Sequence, residues 1–191
     1  MTNWAERYEA QETPWNVGGP HPELKARFEK RAGEQSALVP GCGHGHDALF
    51  LAQAGLRVVG LDLSPQVEDL AGEELRAAGG ELHVCDALAW QPEEAFDLVF
   101  EHTFLCAINP ELRSNWAALM QRCVKPGGRV LAVAFPGGKA ADLGGPPFGY
   151  SVDDMLQLLG ASFSKTLDEP VQNGVDRRDW EERWVEFVRA D

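Results

Sequence analysis

Basic residues are scarce in this sequence, and its cysteines do not occur in pairs. Among 191 residues, 17 are lysine or arginine and 30 are aspartate or glutamate, a formal net charge of −13. Such an excess of acids repels a phosphate backbone, and no cluster of basic residues offsets it, which argues against nucleic-acid partners. The absence of any C-x-x-C pair argues against a zinc ribbon or a redox motif. We expect the four cysteines to be buried, reduced thiols: Cys42, Cys85, Cys106 and Cys123.

Long apolar runs are also missing. No apolar stretch approaches the roughly 20 residues that a membrane helix needs, and no charged-then-apolar leader opens the chain. We therefore expect a cytoplasmic protein without a membrane partner. A chain of this length is expected to form one domain, over residues 1–191, with a core that needs no disulfides. The sequence does not indicate an oligomeric state, and it is compatible with a monomer.

The stretch over residues 36–65 has the pattern of a strand, a glycine turn, a helix and a second strand. The apolar segment at 37–39 is typical of a buried parallel strand. Apolar residues at helical spacing follow over 46–54, and a second apolar strand is predicted at 57–61. In open α/β sheets, ligands bind beyond the carboxyl ends of the strands. The glycine turn and Asp62, directly after the second strand, should therefore face one crevice.

Glycine alternates with other residues in this turn, at Gly41, Gly43 and Gly45, and lets a ligand approach the backbone closely. A dinucleotide fingerprint, G-x-G-x-x-G, would need a glycine where this chain has His46, which disfavours an oxidoreductase. The G-x-G-x-G pattern, with an acid seventeen residues after its last glycine, is similar to the first motif of S-adenosylmethionine-dependent methyltransferases. The carboxylate of Asp62 would accept hydrogen bonds from ribose hydroxyls. A glycine-rich turn without a ligand is the alternative.

The rest of the chain predicts five further strands and several helices. The strands are expected over 81–85, 96–100, 129–135, 163–167 and 184–188. The helices are expected over 22–31, from Ser64 towards Ala78, after Asn109, and from Ser151, where a capping box with Asp154 begins, to Leu159. This order predicts an α/β fold with a doubly wound, mostly parallel, seven-stranded Rossmann-like sheet that ends in an antiparallel hairpin. The long loop over 136–150 should border the site.

Aromatic residues occur among polar ones near the start of the chain. Trp4 and Tyr8 have the spacing of one helix face, and Trp15 follows in a segment whose prolines and glycines cannot continue a helix. These aromatics either pack on the domain as ordinary surface anchors or form a lid. We predict a lid over residues 1–20 that covers the ligand site.

Short motifs spread from about residue 4 to residue 190 resemble the thiopurine S-methyltransferase family in its wide sense, which includes thiol and halide methyltransferases. They are Thr13-Pro14-Trp15, Leu38 to Gly43 with His46-Asp47, Val59 to Asp62, Phe96-Asp97-Leu98, Ala107 to Pro110 with Arg113, and Gly145 to Phe148. The resemblance implies S-adenosyl-L-methionine as cofactor, S-adenosyl-L-homocysteine as its product, a small-molecule methyl acceptor, and an N-terminal segment folded over the cofactor.

The resemblance also implies roles for individual residues. Those expected to bind the cofactor are Trp4, Tyr8, Trp15, Gly41, Gly43, Gly45, Asp62, Leu63, Asp86, Ala87 and His102. Those expected to face the acceptor are Trp15, His102, Phe135 and Phe148. His102 stands where thiopurine enzymes tend to have arginine and plant-type relatives tyrosine, and Asn16 replaces an aspartate common in the family. His102 is therefore either a catalytic residue that faces the acceptor or a rim residue without a role in the reaction.

The reaction implied is in-line transfer of a methyl group to a soft nucleophile such as a thiol, a thiopurine or a halide. Two alternatives stay open: a methyltransferase of the same fold that acts on oxygen, nitrogen or a metalloid, and a protein that binds the cofactor without catalysis. We predict no metal site, because His44 and His46 have only Asp47 as a further ligand nearby.

Overall fold

The computed structural model describes residues 2–191. Seven strands form one sheet in the order β3-β2-β1-β4-β5-β7-β6. They are β1 (Ser36–Pro40), β2 (Arg57–Asp62), β3 (Glu81–Val84), β4 (Phe96–His102), β5 (Val124–Gly137), β6 (Phe163–Pro170) and β7 (Glu181–Arg189). The first five strands pair in parallel, and β7 is antiparallel to both β5 and β6. The predicted doubly wound sheet with a C-terminal hairpin is confirmed.

Residues 2–191 contain six α-helices: α1 (Trp4–Glu9), α2 (Pro22–Arg27), α3 (His46–Gln53), α4 (Glu73–Ala77), α5 (Arg113–Cys123) and α6 (Val152–Leu159). The predicted capping box of α6 is present, with the Ser151 hydroxyl accepting from the Asp154 amide and the Asp154 carboxylate accepting from the Ser151 amide. Asn3 caps α1 through its side chain, which accepts from the Glu6 amide.

Three predicted elements differ from those observed. The helix expected over 22–31 ends at Arg27, because the backbone of Phe28 is extended and its ring packs against Phe50 at 6.2 Å. The helix expected from Ser64 to Ala78 is a π-helical turn at Glu68–Gly72 followed by α4. This wide turn places Ala71 against Gly45 of the glycine loop.

The third difference is the fifth strand, which begins at Val124 rather than at residue 129. Val124 pairs with Phe96, and the register then shifts before Arg129 pairs with Leu98. The intervening Lys-Pro-Gly-Gly segment is thus a bulge inside the strand rather than a turn before it.

Two apolar clusters cover the two faces of the sheet. Successive residues of β4 alternate between them: Val99 packs in the cluster with Trp116 of α5, whereas Leu98 and Phe100 pack in the cluster with Leu51 of α3. All four cysteines are free. The expectation of buried thiols holds for Cys106 and Cys123 but is wrong for Cys42 and Cys85, which are half-buried because they lie at the ends of β1 and β3, on the open rim of the sheet. Within residues 2–191, no helix has the length and apolarity needed to cross a membrane.

Candidate active site

The glycine loop connects β1 to α3 at the carboxyl edge of the sheet. All three of its glycines have positive φ, at 63° for Gly41, 55° for Gly43 and 71° for Gly45. A side chain at Gly41 would begin 2.5 Å from the Phe104 ring, and one at Gly45 would collide with Ala71. Both conformation and space therefore require glycine at Gly41 and Gly45, and the loop lines a small cavity.

Asp62 lies at the carboxyl end of β2, as predicted, and contacts the glycine loop. One of its oxygens accepts from the Gly43 amide and the other from the Ser64 amide, each at 2.9 Å. Burial raises the pKa of this carboxyl, although the backbone donors oppose the shift. A carboxylate has about four acceptor positions, so one not taken by the backbone amides can accept from a hydroxyl group of a ligand such as a ribose.

Asp86 and Ala87, both predicted to bind the cofactor, lie just beyond β3. Asp86 is exposed, and its Oδ1 accepts from the Leu88 amide at 2.9 Å. Ala87 is buried, and Leu63, after β2, exposes 54% of its surface. The structure thus places an exposed apolar residue and an exposed acid at neighbouring strand ends, on the same edge as Asp62.

The N-terminal segment packs on the glycine loop. The ring of Trp15 makes edge contacts with Trp4 at 5.4 Å and with Tyr8 at 5.5 Å, and the Tyr8 hydroxyl would lie 3.3 Å from a side chain at Gly43. The space left between segment and loop is about 40 Å³. Ligand pockets commonly enclose about 300–1,000 Å³. The role of the segment as a lid stays a prediction.

A buried polar atom under the segment has no partner. The Nδ1 atom of His44 is enclosed, and no hydrogen-bond partner for it lies within residues 2–191. The ring of Tyr8 lies 5.6 Å from the His44 ring, and the ring of His46 stacks on the His44 ring at 5.9 Å. Burial and the proximity of His46 lower the pKa of His44. An unpartnered nitrogen beside the glycine loop and Asp62 fits a polar ligand such as S-adenosylmethionine.

His102 ends β4 and lies between a carboxylate and a guanidinium. Its Nδ1 is 2.7 Å from Asp47 Oδ2, and its Nε2 is 3.0 Å from an Arg178 nitrogen. Burial lowers the pKa of His102, although Asp47 opposes the shift. Burial alone would raise the pKa of Asp47, but the charge and hydrogen bond of His102 bring it below its usual range. At neutral pH the pair is thus a neutral imidazole beside an ionised carboxylate.

Arg178 occupies the middle of this edge. Its guanidinium donates to Glu182 and lies 4.5 Å from the centre of the Phe135 ring. Burial would raise the pKa of Glu182, but the hydrogen bond from His21 and the charge of Arg178 lower it to about 2. On one side Arg178 contacts His102, which lines the small cavity. On the other it lines an open cleft of about 240 Å³, together with Val171, Gly174, Val175, Asp176, Trp180 and Glu182.

The model of the thiopurine S-methyltransferase family matches residues 1–181 of this sequence. The chain belongs to this family. A probable thiol methyltransferase 2 from Arabidopsis thaliana is 35% identical over 161 residues, which cover 82% of this chain and 70% of that protein. Thiocyanate methyltransferase 1 from the same plant is 34% identical over 161 residues, which again cover 82% of this chain and 70% of that protein. A thiopurine S-methyltransferase from Vibrio cholerae is 27% identical, with 95% of each chain covered.

Solved structures agree with this family assignment at the level of the fold. A Burkholderia thailandensis N1-methyltransferase, solved with bound S-adenosylhomocysteine, superposes with a TM-score of 0.75 at 17% identity and covers 98% of this chain and 86% of that one. A structure from work on echinomycin biosynthesis gives 0.72 at 23% identity, with 97% and 93% covered. This chain is an S-adenosylmethionine-dependent methyltransferase, and S-adenosylmethionine is its cofactor.

Of the residues predicted to face the acceptor in this methyltransferase, two line the small cavity and a third contacts Arg178. Trp15 and His102 line the small cavity, and Phe135 lies under Arg178. Phe148 lines neither cavity: its amide donates to the Cys106 carbonyl at 2.7 Å. Its position in an acceptor site stays a prediction.

Sequence reasoning missed Arg178 and Glu182, although both belong to the edge that holds His102. The partner of Arg178 is 76 residues away along the chain, and that of Glu182 is 161 residues away. No local spacing signals such contacts. The methyltransferase also brings together the ligating atoms of His21, His102 and Glu182, within 4.8 Å of one another. The guanidinium of Arg178 contacts two of these three groups and so fills the position that a cation would take.

Glu101 reaches the same rim but faces inward. It is fully buried and accepts from the amides of Phe104 and Leu105 and from the Trp116 indole, each at 3.0 Å. Burial raises its pKa. These three bonds fix the turn after β4, so Glu101 shapes the wall of the methyltransferase site without facing the cleft.

Proposed function

We propose that this methyltransferase transfers a methyl group to a small soft nucleophile, a thiol foremost and a thiopurine or halide by the same chemistry. The observation that carries the proposal is the convergence of Arg178 and His102 beside the glycine loop, with Arg178 joining the small cavity to the open cleft. The names of the relatives, which are thiol, thiocyanate and thiopurine methyltransferases, support the same class of acceptor.

The acceptor reacts as an anion or with a sulfur lone pair. When bound, S-adenosylmethionine supplies an electrophilic methyl group. A free thiol has a pKa near 8.5, so part of it is already thiolate at neutral pH, and a halide has no proton to lose. The protein's main tasks are then to hold the acceptor in line and to exclude water, and oriented reactants reach effective molarities of about 10⁵–10⁸ M.

Arg178 suits the binding of an anionic acceptor. A guanidinium stays protonated at any physiological pH, and its positive charge lowers the pKa of a thiol nearby. Phe135 supports it from one side, and Glu182 fixes its orientation. An acceptor that enters from the open cleft would meet this guanidinium first. It would replace Glu182 or His102 as a hydrogen-bond partner of Arg178.

His102 suits the acceptance of a proton rather than the donation of one. Because burial lowers its pKa, the neutral imidazole prevails at neutral pH, and Asp47 holds its Nδ1. The lone pair of Nε2 then points toward Arg178, and Nε2 is the atom that could take the proton of a neutral thiol. The anion-binding charge belongs to Arg178, not to a protonated His102.

The N-terminal segment is proposed as the lid over the cofactor, with Trp4, Tyr8 and Trp15 as its aromatic face. Its packing on Gly43 and the small cavity beneath it support this role. Ring faces of this kind can also attract the sulfonium charge, worth roughly 0.5–2 kcal/mol. The cytoplasmic location remains a prediction from the sequence.

The proposal is tested by incubating the protein with cofactor labelled in its methyl group and a panel of acceptors: thiols, thiopurines, iodide, bromide, thiocyanate, tellurite and phenols. We expect labelled product from thiols and from at least one anion. Above about pH 6.5, where His102 is neutral, iodide methylation should stay level while thiol methylation rises with the thiolate fraction. Exclusive labelling of phenols or tellurite would contradict the proposed acceptor class.

Arg178→Met sharpens the test. Loss of a charge-assisted contact to an anionic acceptor should raise the KM for the acceptor roughly tenfold to a hundredfold, with cofactor affinity unchanged. Arg183→Met is the matched control, because Arg183 pairs with Asp168 in the β6–β7 hairpin, away from both cavities. Equal effects of the two substitutions would assign the loss to altered folding or net charge rather than to acceptor binding.

A further inference from the structure

Five polar residues from separate segments of the chain form a closed ring of hydrogen bonds at the carboxyl edge of the sheet: His21, Asp47, His102, Arg178 and Glu182. The backbone amide of His21 donates to Asp47 Oδ1 at 2.8 Å, and Asp47 Oδ2 contacts His102 Nδ1 at 2.7 Å. Arg178 joins His102 Nε2, at 3.0 Å, to Glu182 Oε1. The ring closes where Glu182 Oε1 meets His21 Nε2 at 3.1 Å. We call these five residues the site ring.

Donors and acceptors in the site ring fix the tautomers of both histidines. The Nε2 atom of His102 faces a guanidinium, which can only donate, so this nitrogen is an acceptor and the proton lies on Nδ1. The Nδ1 atom of His21 accepts from the amide of Glu23, at 3.2 Å, where it caps α2. The proton of His21 therefore lies on Nε2 and is donated to Glu182. The two histidines carry opposite tautomers in one ring.

His21 joins the ring to the N-terminal segment. It is fully buried, directly follows residues 1–20, and its ring makes an edge contact with His102 at 4.8 Å. A second contact joins the same two regions, because Arg177 donates to the Asn16 carbonyl. The segment that covers the glycine loop and the loop that carries Arg178 are thus connected at two points.

We propose that His21 is a positioning residue for methyl transfer. The Nε2 proton of His21 holds Glu182, and Glu182 holds the Arg178 guanidinium where the acceptor is bound. The backbone amide of His21 orients Asp47, and Asp47 in turn fixes the tautomer of His102. The inference rests on the proposed function, in which Arg178 and His102 face the acceptor. No local pattern in the sequence marks His21, since its partners are 26 and 161 residues away.

The tautomers provide a test that does not depend on activity. Nitrogen NMR of the unmodified protein, labelled at its histidines and measured at pH 7, should show His102 protonated at Nδ1 and His21 protonated at Nε2. Spectra of single-histidine substitutions assign the signals. The opposite tautomer at either residue would overturn the ring. The NMR measurement needs no acceptor, so it tests the site ring even if none of the tested acceptors is methylated. Failure of the ring and failure of the proposed function are therefore distinguishable.

A matched pair of substitutions separates the two contacts of the His21 side chain. In His21→Asn, the side-chain oxygen replaces Nδ1 as the acceptor that caps α2, but the shorter side chain cannot reach Glu182. Gln in His21→Gln places an amide nitrogen near the position of Nε2, but loses the cap. We expect His21→Asn to raise the KM for the acceptor roughly tenfold or more, with the cofactor Kd within about twofold of wild type. His21→Gln should keep the acceptor KM and lower Tm by about 2–4 °C.

Ser151→Ala is the control for the loss of a helix cap, because it removes the cap of α6 and touches no residue of the site ring. It should lower Tm by about as much as His21→Gln does and leave the acceptor KM and the cofactor Kd unchanged. If His21→Asn keeps the wild-type acceptor KM, or if His21→Gln raises it as much as His21→Asn does, the contact of His21 with Glu182 does not position Arg178 and the proposal is wrong.

Discussion

The methyltransferase buries charged residues at both ends of its sheet, and the two clusters differ in kind. The site ring at the carboxyl end contains two histidines, and its groups face a cavity and a cleft. The cluster at the opposite end, which we call the base cluster, contains Arg31, Glu34, Arg129, Thr166 and Glu186. It has no titratable group with an ordinary pKa near neutrality.

The base cluster is held by two-pronged contacts between guanidinium and carboxylate groups. Arg129 donates to Glu34 at 2.7 and 3.1 Å and to Glu186 at 2.9 Å, and Arg31 donates to both oxygens of Glu186. Burial would raise the pKa of Glu186, but Thr166 and the two arginines bring it below its usual range. Each charge is thus paired, as a buried charge must be if the fold is to remain stable.

The difference teaches how to separate a structural cluster of buried charges from a functional one. In the base cluster, opposite charges are neutralised and no group is left to exchange its partner with a ligand. In the site ring, Arg178 shares its donors with a neutral imidazole, which an anionic acceptor could replace at little cost. A cluster that can trade one neutral partner for a ligand is suited to a reaction, whereas a fully paired cluster is suited to stability.

The largest effect is expected from breaking the base cluster. Arg129→Met removes the guanidinium that pairs with buried Glu34 and one of the two that pair with Glu186, and should lower the free energy of unfolding by about 3–5 kcal/mol. Arg31→Met is the matched control: Arg31 is half exposed, so its loss should cost only about 0–1 kcal/mol. Denaturant unfolding measures both. Similar losses for the two variants would mean that burial does not distinguish them.

At the site end, the N-terminal segment should open far more easily than the base cluster does. Limited proteolysis should cut between about Ala10 and Gly19 when cofactor is absent. If only the closed form binds cofactor, a concentration one hundred times its Kd stabilises that form by about 2.7 kcal/mol, and cleavage should slow roughly a hundredfold. Cleavage at the same rate with and without cofactor would remove the lid from the mechanism.

A smaller effect is expected when Asp62 is removed. Asp62→Ala should weaken cofactor binding by roughly 1.5–3 kcal/mol, about tenfold to a hundredfold, because a charge-assisted acceptor for hydroxyl groups is lost. Asp62→Asn keeps one carbonyl acceptor and should lose less. Calorimetric titration with S-adenosylhomocysteine measures the Kd. An unchanged Kd in the alanine variant would show that Asp62 holds only the Gly43 and Ser64 amides.

The smallest effect concerns Ser151, which belongs to neither cluster. Ser151→Ala should lower the free energy of unfolding by about 0.5–2 kcal/mol through loss of the α6 cap. Cofactor affinity and acceptor KM should match those of wild type. A change in either constant would mean that α6 is coupled to the site, and the contrast between the site ring and the rest of the protein would then be weaker.

The sequence predicts the fold well where the signal is local. Apolar runs, glycine ends and the Ser151 capping box identify the strands and α6, and the spacing of Gly41, Gly43 and Gly45 before Asp62 identifies the cofactor end of the site. Helix breaks such as Phe28 are missed, because a distant packing contact decides the backbone there. The π-helical turn is missed as well, since it depends on Ala71 fitting against Gly45.

The acceptor end of the site could be predicted only in part. His102 is identified through the resemblance to the family, which places its variable residue at this position. His21 and Glu182 carry no such mark, because each becomes part of the site through a partner more than 150 residues distant. Residues whose contacts depend on tertiary packing cannot be recognised from spacing alone.

The position of β7 has a consequence for synthesis of the protein. This strand lies between β5 and β6, although it follows both in the chain. β6 therefore has no place in the sheet until β7 has left the ribosome, and β7 brings Glu182 to the site ring and Glu186 to the base cluster. The first five strands and the glycine loop can assemble earlier. A nascent chain is thus expected to gain the cofactor half of its site first and the acceptor half only after β7 has been synthesised.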